Sequence, residues 1–270
     1  MANITAAEVK KLRDATGAGM MECKKALIEA DGDFDKAVEI LRIAGAAKAA
    51  KRAERSASNG LVSQSGGTIV ELLCETDFVA KSTDFQELGA RIAAAADAAR
   101  PADAAALQGL VLDSGKTVAE EVESLSGVIG EKLAAGRVAH VDGDVVTYLH
   151  RRSGDLPPAS GVVVGYSGSA DAAKTVAMQV AAMRPSYLSR DDIPADILDN
   201  EARIAEATAK EEGKPERALP KIVEGRVNGY VKEHTLLEQA SIVESKRTVK
   251  DLLADADTQV TDFARIEIGG

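Results

Sequence analysis

The N-terminal part of the chain places apolar residues at helical spacing between glycines. Thr5, followed three residues later by Glu8, has the signature of a capping box at the start of a helix. Gly17 predicts the end of that first helix. A second helix is expected from Met20 to about Ala30, because the apolar positions repeat with the period of a helix.

A third helix is expected to begin after Asp33 and to end by Gly45, which would complete a small bundle of three helices. The segment at 46–60 is basic and rich in alanine, and it ends in serine, asparagine and glycine. This composition predicts a linker.

From residue 60 the pattern changes to the alternation and apolar runs of β-strands. The segment 61–75 predicts a hairpin, and Thr83 with Gln86 predicts the cap of a following helix. Residues 102–136 are expected to be mainly helical, in pieces broken by three glycines: Gly109, Gly115 and Gly127. A second hairpin is predicted around the turn dipeptide at 142–143.

The order strand, strand, helix occurs twice, first from Gly60 and again from Gly143. This weak repeat predicts two related α+β halves. Pro194, Gly213 and Pro215 then frame two helices of similar length, which predict an antiparallel helical hairpin that projects from the body. The last residues alternate like a strand that returns to a sheet.

The predicted fold class is therefore α+β, with antiparallel sheets, an N-terminal three-helix module and an inserted helical hairpin. The expected division is an N-terminal helical module at 1–55, the first half of the core at 56–140, its second half at 141–188, the hairpin at 189–235 and a returning C-terminal segment at 236–270.

Charge argues against nucleic acid as a direct partner. The chain has 33 basic and 43 acidic residues, a net charge of −10, whereas phosphate binding needs a basic surface. Residues 1–55 differ, with 11 basic and 9 acidic residues. The chain has no tryptophan, four phenylalanines and four tyrosines, so we expect no platform on which bases could stack.

The same composition disfavours several other classes of protein. Two cysteines, Cys23 and Cys74, without a CxxC spacing exclude a disulfide framework or zinc ribbon, and three scattered histidines disfavour a histidine metal site. The chain has no apolar run of the ~18 residues needed to span a membrane, and its N-terminus has no apolar leader segment. We expect a cytoplasmic protein without metal or cofactor.

Two segments resemble catalytic motifs but lack an essential residue. The segment 110–117, LVLDSGKT, has a leucine where a phosphate-binding loop needs its first glycine. The segment 165–169, GYSGS, ends in Ser169 where a nucleophile elbow needs a glycine. The first segment is expected to be a loop followed by a helix start, and Ser169 of the second is expected to cap a helix. Catalysis by this chain therefore has little support.

Met20 and Met21 are adjacent on a predicted helix, so their side chains point about 100° apart. Both cannot fully enter a three-helix core. Either one of them is exposed as an adaptable contact for a partner, or both fill the core.

Phe78 lies between the end of a predicted strand and the next helix cap, beside the acidic Asp77. Side chains in such connections usually face solvent, and an exposed phenylalanine there would suit insertion into another protein. The alternative is that Phe78 folds back over Phe85 as a lid on the core.

The segments LRDATGAGMMECKKAL, TDFVAK, IGEKLAAGRV and EGR, in this order, closely resemble the bacterial elongation factor Ts family. The resemblance extends over essentially the whole chain. It implies an N-terminal module like a ubiquitin-associated domain, a core of two α+β subdomains and a helical-hairpin insertion. Longer relatives continue past the last strand with a helix that also contacts the partner, whereas this sequence ends at Gly270, so that contact is not carried over.

The resemblance also implies a function: exchange of GDP for GTP on elongation factor Tu, without covalent chemistry. Thr76, Asp77, Phe78 and Val79 would displace Mg²⁺ from the partner's nucleotide site. The implied partner-binding residues are Arg13, Met20, Met21, Ile129, Gly130 and His150.

Two other functions remain open from the residues alone. The chain could be a non-catalytic binding or scaffold protein that recruits partners through its helical module, or an enzyme that uses one of the two near-miss loops. Self-association through the helical hairpin is a further expectation, and neither a nucleic acid nor a membrane is expected as a direct partner.

Overall fold

The computed structural model describes residues 4–244 and 246–269. Over this part of the chain it is an α+β protein with two antiparallel three-stranded sheets and several helices, which confirms the predicted fold class at this level. The expectations about a leader at the first three residues and about Gly270 concern positions outside the described residues.

The helices and strands up to residue 140 are, in chain order, α1 (Ala6–Thr16), α2 (Met20–Glu29), α3 (Phe34–Ala53), β1 (Asn59–Ser65), β2 (Thr68–Cys74), α4 (Asp77–Ala80), α5 (Thr83–Ala99), α6 (Ala104–Gln108), α7 (Val118–Ile129) and β3 (Ala134–His140). The chain continues with β4 (Val145–His150), β5 (Ser160–Ser167), α8 (Ala170–Met183), α9 (Ala195–Glu211), α10 (Leu219–His234), α11 (Val249–Asp255) and β6 (Gln259–Glu267). Short 3-10 turns lie at Arg190–Asp192, Glu216–Ala218 and Leu236–Glu238.

The described residues divide into two compact units. The first unit takes its residues from Met1–His140, Leu149–Gly161 and Ile266–Gly270, and the second consists of Val141–Tyr148 and Val162–Arg265. The finer five-part division given by the sequence stays a prediction.

The first three helices surround an apolar cluster of their own. Thr5 and Glu8 form the predicted capping box of α1, and Gly17 ends this helix with a left-handed backbone (φ 68°), as predicted. Leu12 and Leu27 are buried in the cluster. The cluster is separate from the one beneath the first sheet, so these helices have their own source of stability.

Helix α3 is longer than the sequence predicts. It begins after Asp33 as expected, but it continues through Gly45 to Ala53, where a linker is predicted. Alanine, lysine and arginine are strong helix formers, and together they outweigh the cost of about 1 kcal/mol for one interior glycine. The predicted helix end is therefore wrong, and the irregular segment is at 54–58.

Strand β2 is the central strand of the first sheet, and it pairs antiparallel with β1 and with β3. The predicted hairpin of β1 and β2 is confirmed. The second predicted hairpin is wrong, because β3 and β4, on either side of the turn dipeptide Asp142-Gly143, lie in different sheets. A turn dipeptide specifies a local reversal of the chain but not the partner of each strand. Here β3 pairs with the buried β2.

The helices between β2 and β3 cover the first sheet. Phe85 and Ile92 of α5 are buried against it in one apolar cluster with α7. The cap of α5 is Ser82, one residue before the predicted Thr83. Helix α7 passes through Gly127, where a break is predicted, and ends two residues later.

A β-bulge interrupts the pairing of β2 with β3 at Glu71. The register shifts by one residue between Val70 and Leu72, so that Gly136 and Arg137 both lie opposite Glu71. Glu71 is 6% exposed, and its carboxylate accepts hydrogen bonds from the Arg137 backbone N–H (3.1 Å) and from two nitrogens of the Arg137 guanidinium (3.1 and 2.6 Å). The side chain of Glu71 thus binds the backbone N–H group that the bulge would leave unpaired.

Strand β5 is central in the second sheet, between β4 and β6. Val162 and Val164 of β5 pack in a cluster with α8 and α11. The order strand, strand, helix occurs in both halves, as the weak repeat predicts, and β6 is the predicted returning strand. Each half therefore adds a later strand beside its second one.

Helices α9 and α10 pack against each other, and Arg226 Nη2 forms an ion pair with Glu212 Oε2 at 2.7 Å. Pro194 directly precedes α9, as predicted. Pro215 precedes a 3-10 turn, and α10 begins at Leu219. In the described part of the chain, no helix has both the length and the apolar character needed to cross a membrane.

The first prediction concerns the bulge. Arg137→Ala should lower the free energy of unfolding by about 1–3 kcal/mol, because the buried Glu71 carboxylate would lose its charged hydrogen-bond donors. Thermal unfolding followed by circular dichroism measures this loss. Lys10→Ala, which removes an exposed positive charge from α1, is the control and should leave the midpoint unchanged. Equal midpoints for the two variants would contradict the stabilising role of Arg137.

The second prediction concerns the N-terminal helices. A fragment of residues 56–270 should fold without them, because the cluster beneath the first sheet is separate from theirs. Cooperative thermal unfolding and retained circular dichroism of the sheet are the measurements. An aggregated fragment, or one without a cooperative transition, would show that the boundary near residue 55 is wrong.

Candidate partner-binding site

Phe78 is the most exposed aromatic side chain of the described chain, with 81% of its surface accessible. It lies on α4, a single helical turn that follows the end of β2 by two residues. Phe85 is fully buried in the cluster beneath the sheet. Phe78 therefore projects into solvent, and the alternative in which it covers Phe85 is excluded.

Burial of its neighbours directs Phe78 outwards. Val79 and Ala80 are 5% and 1% exposed and belong to the core. Successive residues of a helix point about 100° apart, so the face that carries Asp77 and Phe78 is turned to solvent. Of the four residues predicted to act on the partner's Mg²⁺, Val79 is thus an anchor of the turn.

Thr76 and Glu131 join the turn to the end of α7. The Glu131 carboxylate accepts hydrogen bonds from the backbone N–H groups of Glu75 (3.1 Å) and Thr76 (3.0 Å) and from the Thr76 hydroxyl (2.6 Å). The Thr76 hydroxyl in turn accepts from Val79 N–H at 3.3 Å as the cap of α4. A charged acceptor therefore fixes the backbone directly before Phe78.

Glu75 makes the reciprocal contact. Its carboxylate accepts from the backbone N–H of Lys132 at 2.6 Å and from the Arg55 guanidinium at 3.3 Å, and the first of these bonds lowers the pKa of Glu75. The Lys132 ammonium donates to the Arg55 carbonyl at 2.9 Å. We call the hydrogen bonds of Glu75 and Glu131 to the opposite backbone the double clasp.

The register of β2 and β3 explains the double clasp. Leu73 pairs with Ala134, and continuing this register places Glu75 opposite Lys132 and Thr76 opposite Glu131. The clasp therefore extends the sheet by two residues, with side-chain carboxylates in place of carbonyl acceptors.

Lys81 connects the other end of the turn to the loop that follows β4. Its ammonium is 2.7 Å from Asp155 and 3.9 Å from Asp77. The hydrogen bond from Lys81, together with one from Ser153, lowers the pKa of Asp155 to about 2. The turn is thus held at both ends, by the clasp before Phe78 and by an ion pair after it.

Cys74 ends β2 beneath the turn and is fully buried. Burial, with the nearby negative charge of Glu131, raises the pKa of its thiol to about 12. The Sγ donates to the Thr76 carbonyl at 3.1 Å. Cys74 is therefore a packing residue that stays protonated at neutral pH.

Ile129 and Gly130, two of the predicted partner-binding residues, lie directly before Glu131. Ile129 is half-buried against the cluster of the first sheet, and Gly130 ends α7 with a left-handed backbone (φ 86°) that a glycine adopts at little cost. The hydrogen bonds of the double clasp bring them to the same end of the sheet as Phe78.

Met20 and Met21 begin α2 and are 46% and 66% exposed, which excludes the alternative in which both fill the core. Arg13 is exposed in the last turn of α1. Gly17, just before α2, approaches Val128 so closely that a β-carbon there would be 2.6 Å from the Val128 Cγ2 atom. The N-terminal helices thus contact α7 one residue before Ile129.

His150 lies exposed at the end of β4. Its carbonyl accepts from the Ala159 N–H at 2.9 Å, at the far end of the loop that carries Asp155. His150 thus lies at the start of the loop that carries Asp155, and the ion pair of Asp155 with Lys81 joins this loop to the turn of Phe78.

Glu75, Glu131 and Asp155 are the site residues that sequence reasoning missed. Glu131 lies inside the quoted IGEKLAAGRV segment and Glu75 directly before TDFVAK, so the signal was their position beside two distinctive motifs. The pattern alone could not show that the two segments are hydrogen-bonded, because they are 55 residues apart along the chain.

The two near-miss motifs have structural roles. Thr117 caps α7 in a capping box with Glu120, and Ser169 caps α8, as expected for both. Within residues 4–244 and 246–269, no cluster of three or more histidine, cysteine or acidic side chains could hold a metal ion.

Comparison with known proteins identifies the family. The family model described as Elongation factor TS matches residues 75–270. The chain is 58% identical over 270 residues to "Elongation factor Ts" of Mycobacterium marinum, and 58% identical over 270 residues to that of a Nocardioides species, with all of this chain and 99% and 100% of the relatives covered. It is 55% identical over 274 residues to that of Salinispora tropica, with 100% and 99% covered. The chain belongs to the elongation factor Ts family of translation elongation factors.

Proposed function

We propose that the protein binds elongation factor Tu with GDP bound and promotes the exchange of GDP for GTP without covalent chemistry of its own. The observation that carries this proposal is Phe78, an aromatic side chain 81% exposed on a turn that is hydrogen-bonded at one end and ion-paired at the other. Exposure of an apolar side chain of this size to water is unfavourable, and contact with a partner surface would bury it.

The turn would act as a wedge on the nucleotide site of the partner. Mg²⁺ holds a bound nucleotide through near-octahedral coordination at 2.0–2.1 Å, so a small shift of the surrounding loops weakens the metal and with it the nucleotide. Thr76 and Val79 hold the turn in shape, while Asp77 and Phe78 reach the partner. A rigid wedge transmits its binding energy to those loops, whereas a mobile one would adapt to them.

The N-terminal helices would form a module like a ubiquitin-associated domain that binds the GTPase domain of the partner. Arg13 supplies a charge, and Met20 and Met21 supply exposed, flexible apolar contacts of the kind that adapt to a partner surface. The contact of Gly17 with Val128 supports a common surface for this module and the end of α7.

Ile129, Gly130 and His150 are proposed as further contacts of the core with the partner. The hairpin of α9 and α10 is proposed to project and to allow self-association, since it leaves Ile204 44% exposed. The protein is proposed to act in the cytoplasm, where its partner is found, without a nucleic acid as its own ligand.

A fluorescent-GDP release assay with elongation factor Tu distinguishes exchange from scaffolding. An exchange factor accelerates release at amounts well below those of the partner, because each molecule acts repeatedly. A scaffold protein binds the partner without changing the release rate. The second outcome would refute the proposed function.

The third prediction is that Phe78→Ala reduces the rate of GDP release about thirty-fold and leaves the thermal midpoint nearly unchanged. An interface aromatic contributes roughly 2 kcal/mol or more to binding, and an exposed side chain contributes little to folding. Val111→Ala, at a site 64% exposed, is the control for the loss of an exposed apolar group.

Phe85→Ala gives the opposite pattern for comparison, because removal of a buried phenylalanine costs about 3–5 kcal/mol of folding stability. If Phe78→Ala loses stability like Phe85→Ala but keeps its exchange activity per folded molecule, the wedge proposal is wrong.

The fourth prediction concerns magnesium. The protein lowers the affinity of the partner for GDP by some factor. Linkage requires that GDP lowers the affinity of the partner for the protein by the same factor. Since the wedge acts through Mg²⁺, millimolar Mg²⁺ should oppose complex formation with the GDP-bound partner, and chelation should favour it. The dependence should shrink in Phe78→Ala, which keeps Arg13, Met20 and Met21.

The measurement is the affinity for GDP-bound elongation factor Tu across a magnesium titration, for the wild type, Phe78→Ala and the control Val111→Ala. Equal magnesium slopes for the wild type and Phe78→Ala would show that Phe78 supplies affinity alone, and the magnesium mechanism would fail.

A further inference from the structure

The helix that carries Phe78 is too short to be stable by itself. It has four residues, and formation of a first helical turn is unfavourable because it fixes several dihedral angles for one hydrogen bond. Burial of Val79 and Ala80 anchors one side of the turn. The hydrogen bond from Val79 N–H to the Thr76 hydroxyl is long, at 3.3 Å. The backbone that leads into the turn needs a further support.

Glu131 supplies this support with both of its carboxylate oxygens. Oε2 accepts from two successive backbone N–H groups, those of Glu75 and Thr76, and Oε1 accepts from the Thr76 hydroxyl. Hydrogen bonds to a charged acceptor are roughly twice as strong as those between neutral groups. Three such bonds therefore fix the position and direction of the chain two residues before Phe78.

Glu131 also orients the cap of the turn. The Thr76 hydroxyl has one hydrogen, and the carboxylate at 2.6 Å can only accept it. The hydroxyl hydrogen therefore points to Glu131, and a lone pair of the oxygen is left for Val79 N–H. Loss of the acceptor would let the hydroxyl rotate and compete for other acceptors.

Glu131 itself is well held. Gly130 turns the chain at the end of α7, and Ser126 Oγ donates to the Glu131 carbonyl at 2.6 Å. The next backbone N–H, of Lys132, is bound by Glu75. The carboxylate is thus attached to the rigid end of a helix and the beginning of a strand.

We infer that Glu131 is a positioning residue for nucleotide exchange, one that acts on the partner only through the Phe78 turn. The inference rests on the proposed function and adds to it the group that makes the wedge rigid. It separates affinity from exchange: without the Glu131 carboxylate the partner is still bound through Arg13, Met20 and Met21, but the turn yields when it meets the partner's loops.

The test begins with Glu131→Gln, which keeps the size of the side chain and replaces one acceptor oxygen by an NH₂ donor. That donor must face either the two backbone N–H groups or the Thr76 hydroxyl. We expect the GDP-release rate at saturating protein to fall about ten-fold, and the half-saturating concentration to stay within about two-fold. Glu123→Gln, at an exposed glutamate of α7, removes a charge of the same sign and should behave as the wild type.

A double-mutant cycle separates positioning from general stability. In a Phe78→Ala background, Glu131→Gln should reduce the residual rate no further, because the group that it positions is absent. A merely structural role would lower the rate by the same factor in both backgrounds. That result, or a wild-type rate for Glu131→Gln, would overturn the inference.

Thr76 gives a second route if Glu131→Gln folds poorly. Thr76→Val removes the hydroxyl between Glu131 and Val79 at nearly the same volume, and it should also lower the GDP-release rate at saturating protein. Thr76→Ser keeps the hydroxyl and should therefore release GDP faster than Thr76→Val. Equal rates for these two variants would overturn the inference as well.

The controls also separate this inference from the proposed function. If the wild type does not accelerate GDP release, the proposed function and the inference both fail. If the wild type is active and Phe78→Ala is slow, but Glu131→Gln and Thr76→Val match the wild type, only the inference on Glu131 fails.

Discussion

The pairing of β2 with β3 is the constraint on which the candidate site depends. The bulge at Glu71 shifts the register by one residue, and this shift brings Thr76 opposite Glu131 and Glu75 opposite Lys132. Without it, each residue beyond Leu72 would face a different neighbour. The buried Glu71 carboxylate and Arg137, 49% exposed on its side chain, hold the bulge. The contact of Glu71 with Arg137 in the middle of the sheet therefore sets which residues face each other at the end of the sheet.

Side-chain carboxylates continue the sheet where the backbone leaves it. A strand that ends in a turn leaves N–H groups without partners, and water or a side chain must bind them. Here Glu75 and Glu131 bind the N–H groups of the opposite segment, with Arg55 close to Glu75. Charged acceptors make this end of the sheet stiffer than water would, and this stiffness suits the display of an exposed phenylalanine.

The N-terminal helices offer a different kind of surface. Met20 and Met21 lie at the start of a helix, on flexible side chains that adapt to what they contact, whereas Phe78 has a braced backbone. In the proposed function the first surface gives affinity and the second gives the change in the partner. The N-terminal helices approach the core where Gly17 lies against Val128, near the end of α7 and three residues before Glu131.

The sequence by itself determined the local features: the capping box of α1, the helix start that follows the 110–117 loop, the left-handed end of α1 at Gly17, the first hairpin and the final strand, because neighbouring residues decide these. The motifs also identified the family, whereas the roles of the site residues that the resemblance implies stay predictions. Tertiary structure decided the partner of β3, the direction of Phe78 and the double clasp, which depend on contacts between residues far apart in the chain. Helix α3 lies between these cases. Its end at Ala53 follows from the helix propensities of the residues after Gly45, but this one glycine by itself predicts an earlier end of the helix.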